Sequence, residues 1–295
     1  MAIYDLNGTQ INNAYNLSAE INNAYDIQGQ HIFSKTPVVL KVMAFNVGSF
    51  YTEWHPCPDN KSASFYQRHT TIFNAQQPDI AGLPEWYKYI GTYSSDTFMS
   101  DHFESYVANY EAYKGNTNPN HAITFSSTYP MSNNTIVAYQ SQGSETRYYQ
   151  KGYITVNGHN IRIVNTHLDL NGTARGNQFA ELLTMLENET YFICTGDFNF
   201  QIQAVGDSQY NASVQLALNK GFNSAQNSSG IYLTWYDGQT AQTSTTIHAL
   251  DNIITSANLP ISNVAVDTTK LTDGLCSANS FIIDHLPLVA KVTVS

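Results

Sequence analysis

The middle of the chain carries a hairpin signal that constrains the fold. Two runs rich in β-branched and aromatic residues, Tyr153–Val156 and Ile161–Val164, lie on either side of the dipeptide Asn157-Gly158. Asn-Gly suits a tight two-residue hairpin turn because both of its residues tolerate a positive φ angle. The sequence therefore predicts an antiparallel β-hairpin at this point.

Strand-like runs continue along the rest of the chain, and helical stretches separate only some of them. Val38–Phe45 is a nearly continuous apolar run that predicts a central strand, and Asp79–Leu83 predicts a short buried strand. Helical spacing predicts helices over Ser64–Gln77, which Pro78 closes, and over Ala174–Asn188. Later strands are predicted over Tyr191–Cys194, Ile247–Ile254 and Leu286–Val294. This irregular order is typical of an α+β fold, a two-sheet β-sandwich with a few interleaved helices.

The composition excludes some classes of protein. Of the 295 residues, 42% are hydrophobic, 13% aromatic and only 12% charged, so an intrinsically disordered chain is excluded. The formal net charge of −10 argues against wrapping of nucleic acid by a basic surface, but not against an enzyme that holds phosphate through a metal ion. No apolar run is long enough for a transmembrane segment, and the first residues lack the features of a signal peptide.

A short repeat occupies the first 35 residues. Its three copies, joined by Asn-Asn-Ala, are Tyr4–Ile11, Tyr15–Ile21 and Tyr25–Ile32. Each copy is too small to bury a core, so residues 1–35 form either a flexible N-terminal arm or an attachment module that binds a partner protein or self-associates. The pattern resembles repeats near the ends of bacteriophage structural and bacterial surface proteins, which favours a secreted or virion-associated protein. A junction at Ser34–Pro37 separates this arm from a second domain over residues 36–295.

The three cysteines do not form a disulfide framework. Cys194 lies in an apolar run, which predicts a buried thiol in a strand. Cys57 and Cys276 lie in loop-like sequence, and the sequence leaves a single disulfide between them open.

Polar residues end several predicted strands, where a stability argument alone would not place them. They are Asn46, Glu85, His167, Asp169, Asp197 and Asn199, and a further polar pair, Asp284-His285, precedes the last strand. A single Asp or Asn after a strand usually forms a turn or caps a helix. Asp251 is different, because it lies inside the apolar run Ala249–Ile254, and a carboxylate in a strand interior costs free energy unless it is paired. Together these residues predict two carboxylate–histidine sets with two carboxamides at strand ends.

The order of these motifs resembles that of the endonuclease/exonuclease/phosphatase superfamily, the DNase I-like fold, from about Lys41 to Val292. The motifs are Asn46, Pro78-Asp79-Ile80 with Glu85, Thr166-His167-Leu168, Gly196-Asp197-Phe198-Asn199, Asp251 and Asp284-His285. Weaker matches are Arg68, Tyr129-Pro130 and Arg175 with Gln178. Three positions depart from the family pattern: Pro84 replaces Gln, Ile283 replaces Ser, and Asn252 replaces an aromatic or basic residue. These departures remove no primary catalytic group, so they affect the substrate more than the chemistry.

The resemblance implies a two-sheet sandwich flanked by helices and hydrolysis of a phosphate ester with Mg²⁺, or Mn²⁺ in its place, and with Ca²⁺ as a further structural ion. The implied metal ligands are Glu85, Asn46 and Asp284, and the implied catalytic residues are His167, Asp197, Asn199, Asp251 and His285. Asp197 would orient or deprotonate the attacking water, Asn199 would hold a phosphate oxygen, and Asp251 would fix the tautomer of one histidine. Which histidine acts as the base stays open. Candidate substrate contacts are Arg175, His121 and Arg68.

The leading expectation for the function is an Mg²⁺-dependent phosphodiester hydrolase, a DNase-like nuclease acting on DNA. Aromatic residues in Phe50–Phe65 and Tyr93–Asn120 suit stacking on bases, and they also suit an apolar pocket. The chain has only four arginines, which disfavours extensive contact with a duplex backbone. Two alternatives are a phosphoesterase acting on a lipid or a small phosphorylated substrate, and a virion or surface structural protein whose nuclease-like domain is inactive or secondary.

Overall fold

The computed structural model describes residues 3–4, 10–11, 23–25, 31–34, 36–47, 61–86, 89–90, 93–109, 123–143, 145–236, 246–269 and 285–295. The strands, in chain order, are β1 (Ile3–Tyr4), β2 (Gln10–Ile11), β3 (Asn23–Tyr25), β4 (His31–Ser34), β5 (Val38–Ala44), β6 (Ile80–Pro84), β7 (Tyr89–Ile90), β8 (Tyr93–Ser94), β9 (Ser105–Asn109), β10 (Ile123–Ser127), β11 (Ser132–Ala138), β12 (Tyr148–Val156), β13 (His159–His167), β14 (Phe192–Ile202), β15 (Asn223–Ser224), β16 (Trp235–Tyr236), β17 (Thr246–Thr255), β18 (Ile261–Val266) and β19 (Leu288–Val294). The helices are α1 (Lys61–Gln76), α2 (Ser95–His102), α3 (Gly172–Leu186), α4 (Ser208–Ala212) and α5 (Val214–Asn219).

Two mixed sheets form the centre of the fold. One has the strand order β18-β19-β5-β6-β10-β9, and the other has the order β11-β12-β13-β14-β17-β15, with β16 paired to β17. Each sheet contains a parallel pair, β5 with β6 and β13 with β14. A helix lies between the strands of each parallel pair in the sequence, α1 in the first and α3 in the second. Asn46, Glu85 and His167 lie at the carboxyl ends of β5, β6 and β13, whereas Asp197 and Asn199 lie within β14, which continues to Ile202 and not only to Cys194 as predicted.

Apolar side chains fill three layers. Between the two sheets lie buried residues of both, including Leu40, Ile80, Ile161, Ile193 and Ile253. The outer face of the seven-stranded sheet packs on α3 through Phe179, Leu182, Leu186 and Phe198. The outer face of the six-stranded sheet packs on α1 and α2 through Met43, Phe73, Leu83, Phe98 and Met99. Full burial of such a side chain contributes about 1.5–3 kcal/mol. The layers confirm the predicted two-sheet sandwich flanked by helices.

The predicted hairpin is the pair β12–β13, and its turn also marks where the chain enters and leaves the sandwich. Asn157 and Gly158 both have positive φ angles, 52° and 79°, as a type I′ turn requires. The side-chain amide of Asn157 donates to the carbonyl oxygens of Val294, at 3.1 Å, and Thr36, at 3.5 Å. The first residue of β5, Val38, is the register partner of Val294 in β19. Both ends of residues 36–295 therefore lie beside this turn.

The other sequence predictions have mixed outcomes. Cys194 is a buried free thiol in β14, as predicted, while Cys57 and Cys276 lie outside the described residues. In residues 1–35 the structure describes two short strand pairs, β1–β2 and β3–β4, and the role of this arm stays a prediction. In the part of the chain that the structure describes, no helix combines the length and apolarity needed to cross a membrane.

Candidate active site

The inward face of the seven-stranded sheet changes from apolar to polar towards one end of the sandwich. Along β13 the inward residues are Ile163, Asn165 and His167, and along β14 they are Ile193, Thr195 and Asp197. Side chains two residues apart point to the same face of a strand, so the apolar layer leads directly to the polar ends. His167 and Asp197 are register partners across the parallel pair.

Two glycines allow the close backbone approach that this end requires. A Cβ atom on Gly82 of β6 would lie 2.0 Å from Oγ1 of Thr195 in the opposite sheet. A Cβ atom on Gly196, whose φ is 150°, would lie 2.1 Å from the carbonyl oxygen of Thr166. Both distances are too short for a real contact, so a side chain at either position would push strands apart. The Gly of the Gly-Asp-Phe-Asn motif is thus needed to hold Asp197 beside β13.

Residues from both sheets meet at Asn46. Its Nδ2 atom donates to Oε1 of Glu85, at 3.1 Å, and to Oδ2 of Asp197, at 2.9 Å. Asn46 and Glu85 follow β5 and β6 of one sheet, while Asp197 belongs to β14 of the other. Glu85 has a left-handed backbone, with φ 63°, which costs a non-glycine residue about 1–2 kcal/mol. Left-handed residues of this kind cluster at functional sites, where the surrounding fold maintains them.

Two buried histidines face the same oxygen of Asp197. Nε2 of His167 lies 3.5 Å from Oδ2 of Asp197 and 4.0 Å from Oε1 of Glu85. Nε2 of His285 lies 3.8 Å from Oδ2 of Asp197, and its Nδ1 atom lies 2.8 Å from Oδ2 of Asp251. An ionised carboxylate only accepts hydrogen bonds, so Nδ1 of His285 carries the hydrogen. In the neutral ring, Nε2 of His285 is then the acceptor.

The pKa of the buried Asp197 carboxyl depends on most of its neighbours in the site. Burial raises the pKa of this carboxyl above its ordinary value, and His285 opposes that effect. The charge on Asp251 raises the pKa of Asp197 further, whereas hydrogen bonds from Asn46 and the Asn199 backbone lower it. Burial is the largest of these effects, so the net shift of the Asp197 pKa is upward.

The remaining predicted residues have different placements. Asn199, with φ 54°, donates its backbone N–H to Oδ1 of Asp197 at 2.8 Å and its side-chain Nδ2 to the Leu168 carbonyl at 2.8 Å. Nη1 of Arg175 donates to the carbonyl of Leu170 at 2.9 Å, and its guanidinium lies over the ring of Phe200. Their contacts with a phosphate stay predictions. Asp284 and His121 lie outside the described residues, as does the side chain of Arg68 on α1.

Motif reasoning missed Glu145 and Arg147. Nη1 of Arg147 lies 2.9 Å from Nδ1 of His167, and Nη2 lies 2.7 Å from Oε2 of Glu145. Arg147 is 2% exposed, so it is part of the site's interior. In the sequence, Arg147 is only an arginine directly before the first strand of the hairpin. An arginine that faces solvent would look the same in the sequence, so this position does not identify a site residue.

The candidate metal ligands are few and bear oxygen. In the described ranges, no three His, Cys, Asp or Glu side chains are grouped as ligands of one metal ion. Glu85 brings a partly exposed carboxylate and Asn46 a carboxamide to one point. Mg²⁺ is usually bound through one or two carboxylates and keeps several waters, so this donor set fits a hard divalent cation. Glu85 and Asn46 would hold the ion from the side of the six-stranded sheet.

Known structures share this architecture, although no protein-family model matches the chain and no curated protein matches its sequence. An endonuclease/exonuclease/phosphatase family protein from Bacteroides thetaiotaomicron is 17% identical, with a TM-score of 0.66 over 88% of this chain and 100% of that one. A mannosyl-6-phosphatase from the same species is 18% identical, with a TM-score of 0.62 over 87% and 100%. Truncated TDP2 from Caenorhabditis elegans is 15% identical, with a TM-score of 0.59 over 87% and 98%. The chain therefore has the fold of these endonuclease/exonuclease/phosphatase structures, which confirms the fold that its motif order led us to expect.

Proposed function

We propose that the chain is a metal-dependent phosphoric ester hydrolase that acts on a phosphodiester. The observation that supports this most is the convergence of His167 and His285 on one oxygen of buried Asp197, at 3.5 and 3.8 Å. The Nδ1 atom of each histidine, on the far side of the ring from Asp197, has its own partner: Arg147 for His167 and Asp251 for His285. Such held groups are suited to positioning a water and stabilising charge on a phosphate, since catalysis depends on donors and acceptors fixed before the reaction.

Each residue has a separate part in this proposal. Asp197 orients the attacking water, and Nε2 of His285 is the acceptor that Asp251 keeps free of hydrogen. Asn199 lies beside Asp197 and, through hydrogen bonds to Asp197 and Leu168, stiffens the irregular part of β14 that follows Asp197. A divalent cation bound by Glu85, Asn46 and Asp284 would neutralise charge on the phosphate oxygens.

A DNase-like nuclease is the first candidate for the substrate class, and a small phosphorylated molecule is the second. One observation supports the second candidate: each arginine whose side chain is described is engaged within the protein. Arg147 contacts Glu145, Arg162 pairs with Glu189, and Arg175 donates to backbone carbonyls. Contacts to a duplex backbone rely largely on free Arg and Lys. One structural neighbour is named as a mannosyl-6-phosphatase, so a small phosphate ester is compatible with this fold.

A substrate panel tests the proposal. Plasmid DNA, RNA, sphingomyelin, inositol phosphates, bis(p-nitrophenyl) phosphate and p-nitrophenyl phosphate are assayed with Mg²⁺, with Mn²⁺ and with EDTA. We expect hydrolysis of at least one ester, its loss in EDTA, and a loss of about 10²–10⁴-fold in His285→Gln. Arg162→Gln is the matched control, because its ion pair with Glu189 lies outside the site. No hydrolysis of any ester would contradict the enzyme proposal and favour the structural-protein alternative, and full activity in EDTA would contradict metal dependence.

A further inference from the structure

Arg147 is held at both its backbone and its guanidinium. Its backbone N–H donates to Oε1 of Gln142 at 2.7 Å, and its carbonyl accepts from Nε2 of Gln142 at 3.2 Å and from the Tyr139 N–H at 3.1 Å. The guanidinium is buried and ends between Glu145 and His167. A residue fixed at this many points holds one orientation, as a positioning role requires.

The contact with His167 determines which ring nitrogen carries hydrogen. A guanidinium has five N–H donors and no acceptor. Nδ1 of His167, 2.9 Å from Nη1 of Arg147, must therefore be the acceptor. The hydrogen of the neutral ring is then on Nε2, which is the atom that faces Asp197 and Glu85.

The two histidines of the site consequently have opposite tautomers. Asp251 accepts from Nδ1 of His285, which leaves a lone pair on Nε2 of that ring. Arg147 donates to Nδ1 of His167, which leaves a hydrogen on Nε2 of that ring. One Nε2 atom is an acceptor and the other is a donor, although both face the same carboxylate oxygen.

We propose that Arg147, braced by Glu145, is a positioning residue that commits His167 to donate a hydrogen bond from Nε2 to a phosphate oxygen. This inference rests on the proposed phosphoester hydrolysis, and it assigns the role of donor to a histidine that motif order leaves undecided between donor and base. Arginine is suited to this role because the two terminal nitrogens of its guanidinium can contact His167 and Glu145 at the same time. The single ammonium of lysine is less well shaped for two such contacts.

Nitrogen NMR tests the tautomers without any assay of activity. Long-range ¹H–¹⁵N spectra of the metal-free protein at pH 8 separate nitrogens that carry hydrogen from those with a lone pair. Loss of signals in His167→Gln and His285→Gln assigns the two rings among the nine histidines. We expect the lone pair on Nδ1 of His167 and on Nε2 of His285. Hydrogen on Nδ1 of His167 would overturn the proposal.

Kinetics of designed variants test the positioning role. With whichever ester of the panel is hydrolysed, we expect Arg147→Met to lower kcat about 10–100-fold, as loss of such an outer partner usually does, with a much smaller change in KM. Arg147→Lys should recover part of kcat, and Glu145→Gln should lower it less. Arg162→Met, which breaks the Glu189 pair on the same sheet, should leave kcat and the tautomers unchanged.

The outcomes separate this inference from the proposed function. Wild-type kcat in Arg147→Met would overturn the positioning role while leaving the hydrolase intact. If Arg147→Met does not fold, Glu145→Gln and the wild-type spectrum decide the question. If the wild type hydrolyses no ester, the proposed function fails and the positioning role with it, while the spectrum still tests the tautomer assignment.

Discussion

Asp197 and Asp251 are register partners on the antiparallel strands β14 and β17, and both carboxylates are buried. Like charges directly opposite each other on neighbouring strands are destabilising. His285 contacts both, with Nδ1 2.8 Å from Oδ2 of Asp251 and Nε2 3.8 Å from Oδ2 of Asp197. One histidine thus lies between two buried carboxylates and donates to Asp251 through Nδ1.

This arrangement predicts the effect of Asp251→Asn. The substitution keeps the shape, but its amide can donate to Nδ1 of His285 and favour the wrong tautomer. We expect kcat to fall by about 10³–10⁴-fold, as in other Asp–His pairs. Within the described residues Oδ1 of Asp251 has no hydrogen-bond partner, so a misplaced amide should also cost about 1–3 kcal/mol of stability. Steady-state kinetics and chemical denaturation measure both, and unchanged kcat would contradict the role of Asp251.

The left-handed backbone at Glu85 predicts that this residue lowers the stability of the fold while its carboxylate supports activity. Both Glu85→Gly and Glu85→Ala remove the carboxylate, so we expect both to lose activity and metal dependence. Only glycine adopts φ 63° without a steric penalty, so Glu85→Gly should be about 1 kcal/mol more stable than Glu85→Ala. Urea denaturation of the pair measures this difference. Equal stabilities would show that the backbone at residue 85 stores no strain.

The contact between the sheets at Gly82 predicts that a single methyl group disturbs the fold. In Gly82→Ala the new Cβ would overlap Oγ1 of Thr195, and we expect a loss of about 1–3 kcal/mol. Gly176→Ala in α3 is the control, because its Cβ meets no atom within 4 Å and alanine favours a helix by about 0.5–1 kcal/mol. Thermal unfolding should move in opposite directions in the two variants. A Gly82→Ala protein as stable as the wild type would contradict the close contact.

Two helix caps predict different pH dependence. Burial raises the pKa of Asp207, but backbone N–H groups, including those of Tyr210, Gln203 and Ala204, lower it more, so its pKa in the folded protein is depressed. A depressed pKa gives stability that is present above about pH 4, the unfolded value, and is lost as pH falls through the folded pKa. Asn171, which caps α3 through Thr173 and Ala174, has no charge to lose.

We therefore expect Asp207→Ala and Asn171→Ala each to cost about 1 kcal/mol at pH 7. Below about pH 4 the cost of Asp207→Ala should shrink, while that of Asn171→Ala should not. Urea denaturation at pH 7 and at two acidic values measures both. Parallel behaviour of the two variants would exclude the charge of Asp207 as the cause.

Local sequence predicts the parts of this fold that depend on short-range chemistry. Asn157-Gly158 predicts its own turn, and the spacing of Phe179, Leu182 and Leu186 predicts the buried face of α3. The motif order also predicts a contact between distant parts of the chain. Asn46 and Asp197 lie 151 residues apart in the sequence, and they share a hydrogen bond in the structure.

Other features depend on contacts that no local pattern records. The positive φ of Glu85, directly after β6, is one, since no glycine or asparagine at that position signals it. Arg147 reaches His167 because β12 and β13 are paired in a particular register, with Tyr149 opposite Thr166. A one-residue change of register would direct the arginine elsewhere, so its role becomes visible only in three dimensions.

The N-terminal arm gives a prediction of a different kind. Deletion of residues 1–35 should leave phosphoester hydrolysis unchanged and abolish attachment to a partner protein or self-association. Activity assays and light scattering on the full chain and the truncated chain measure these properties. Unfolding of the truncated chain would show that the arm is part of the core.

The point at which residue 36 joins the sandwich determines how an attached protein would be oriented. Thr36 lies beside the β12–β13 turn, and β5 (Val38–Ala44) runs from there towards Asn46 over about 20 Å. The junction with residues 1–35 and the candidate active site therefore lie at opposite ends of β5. A chain fixed to a larger particle by its first residues would present the candidate active site outward, away from the body that carries it.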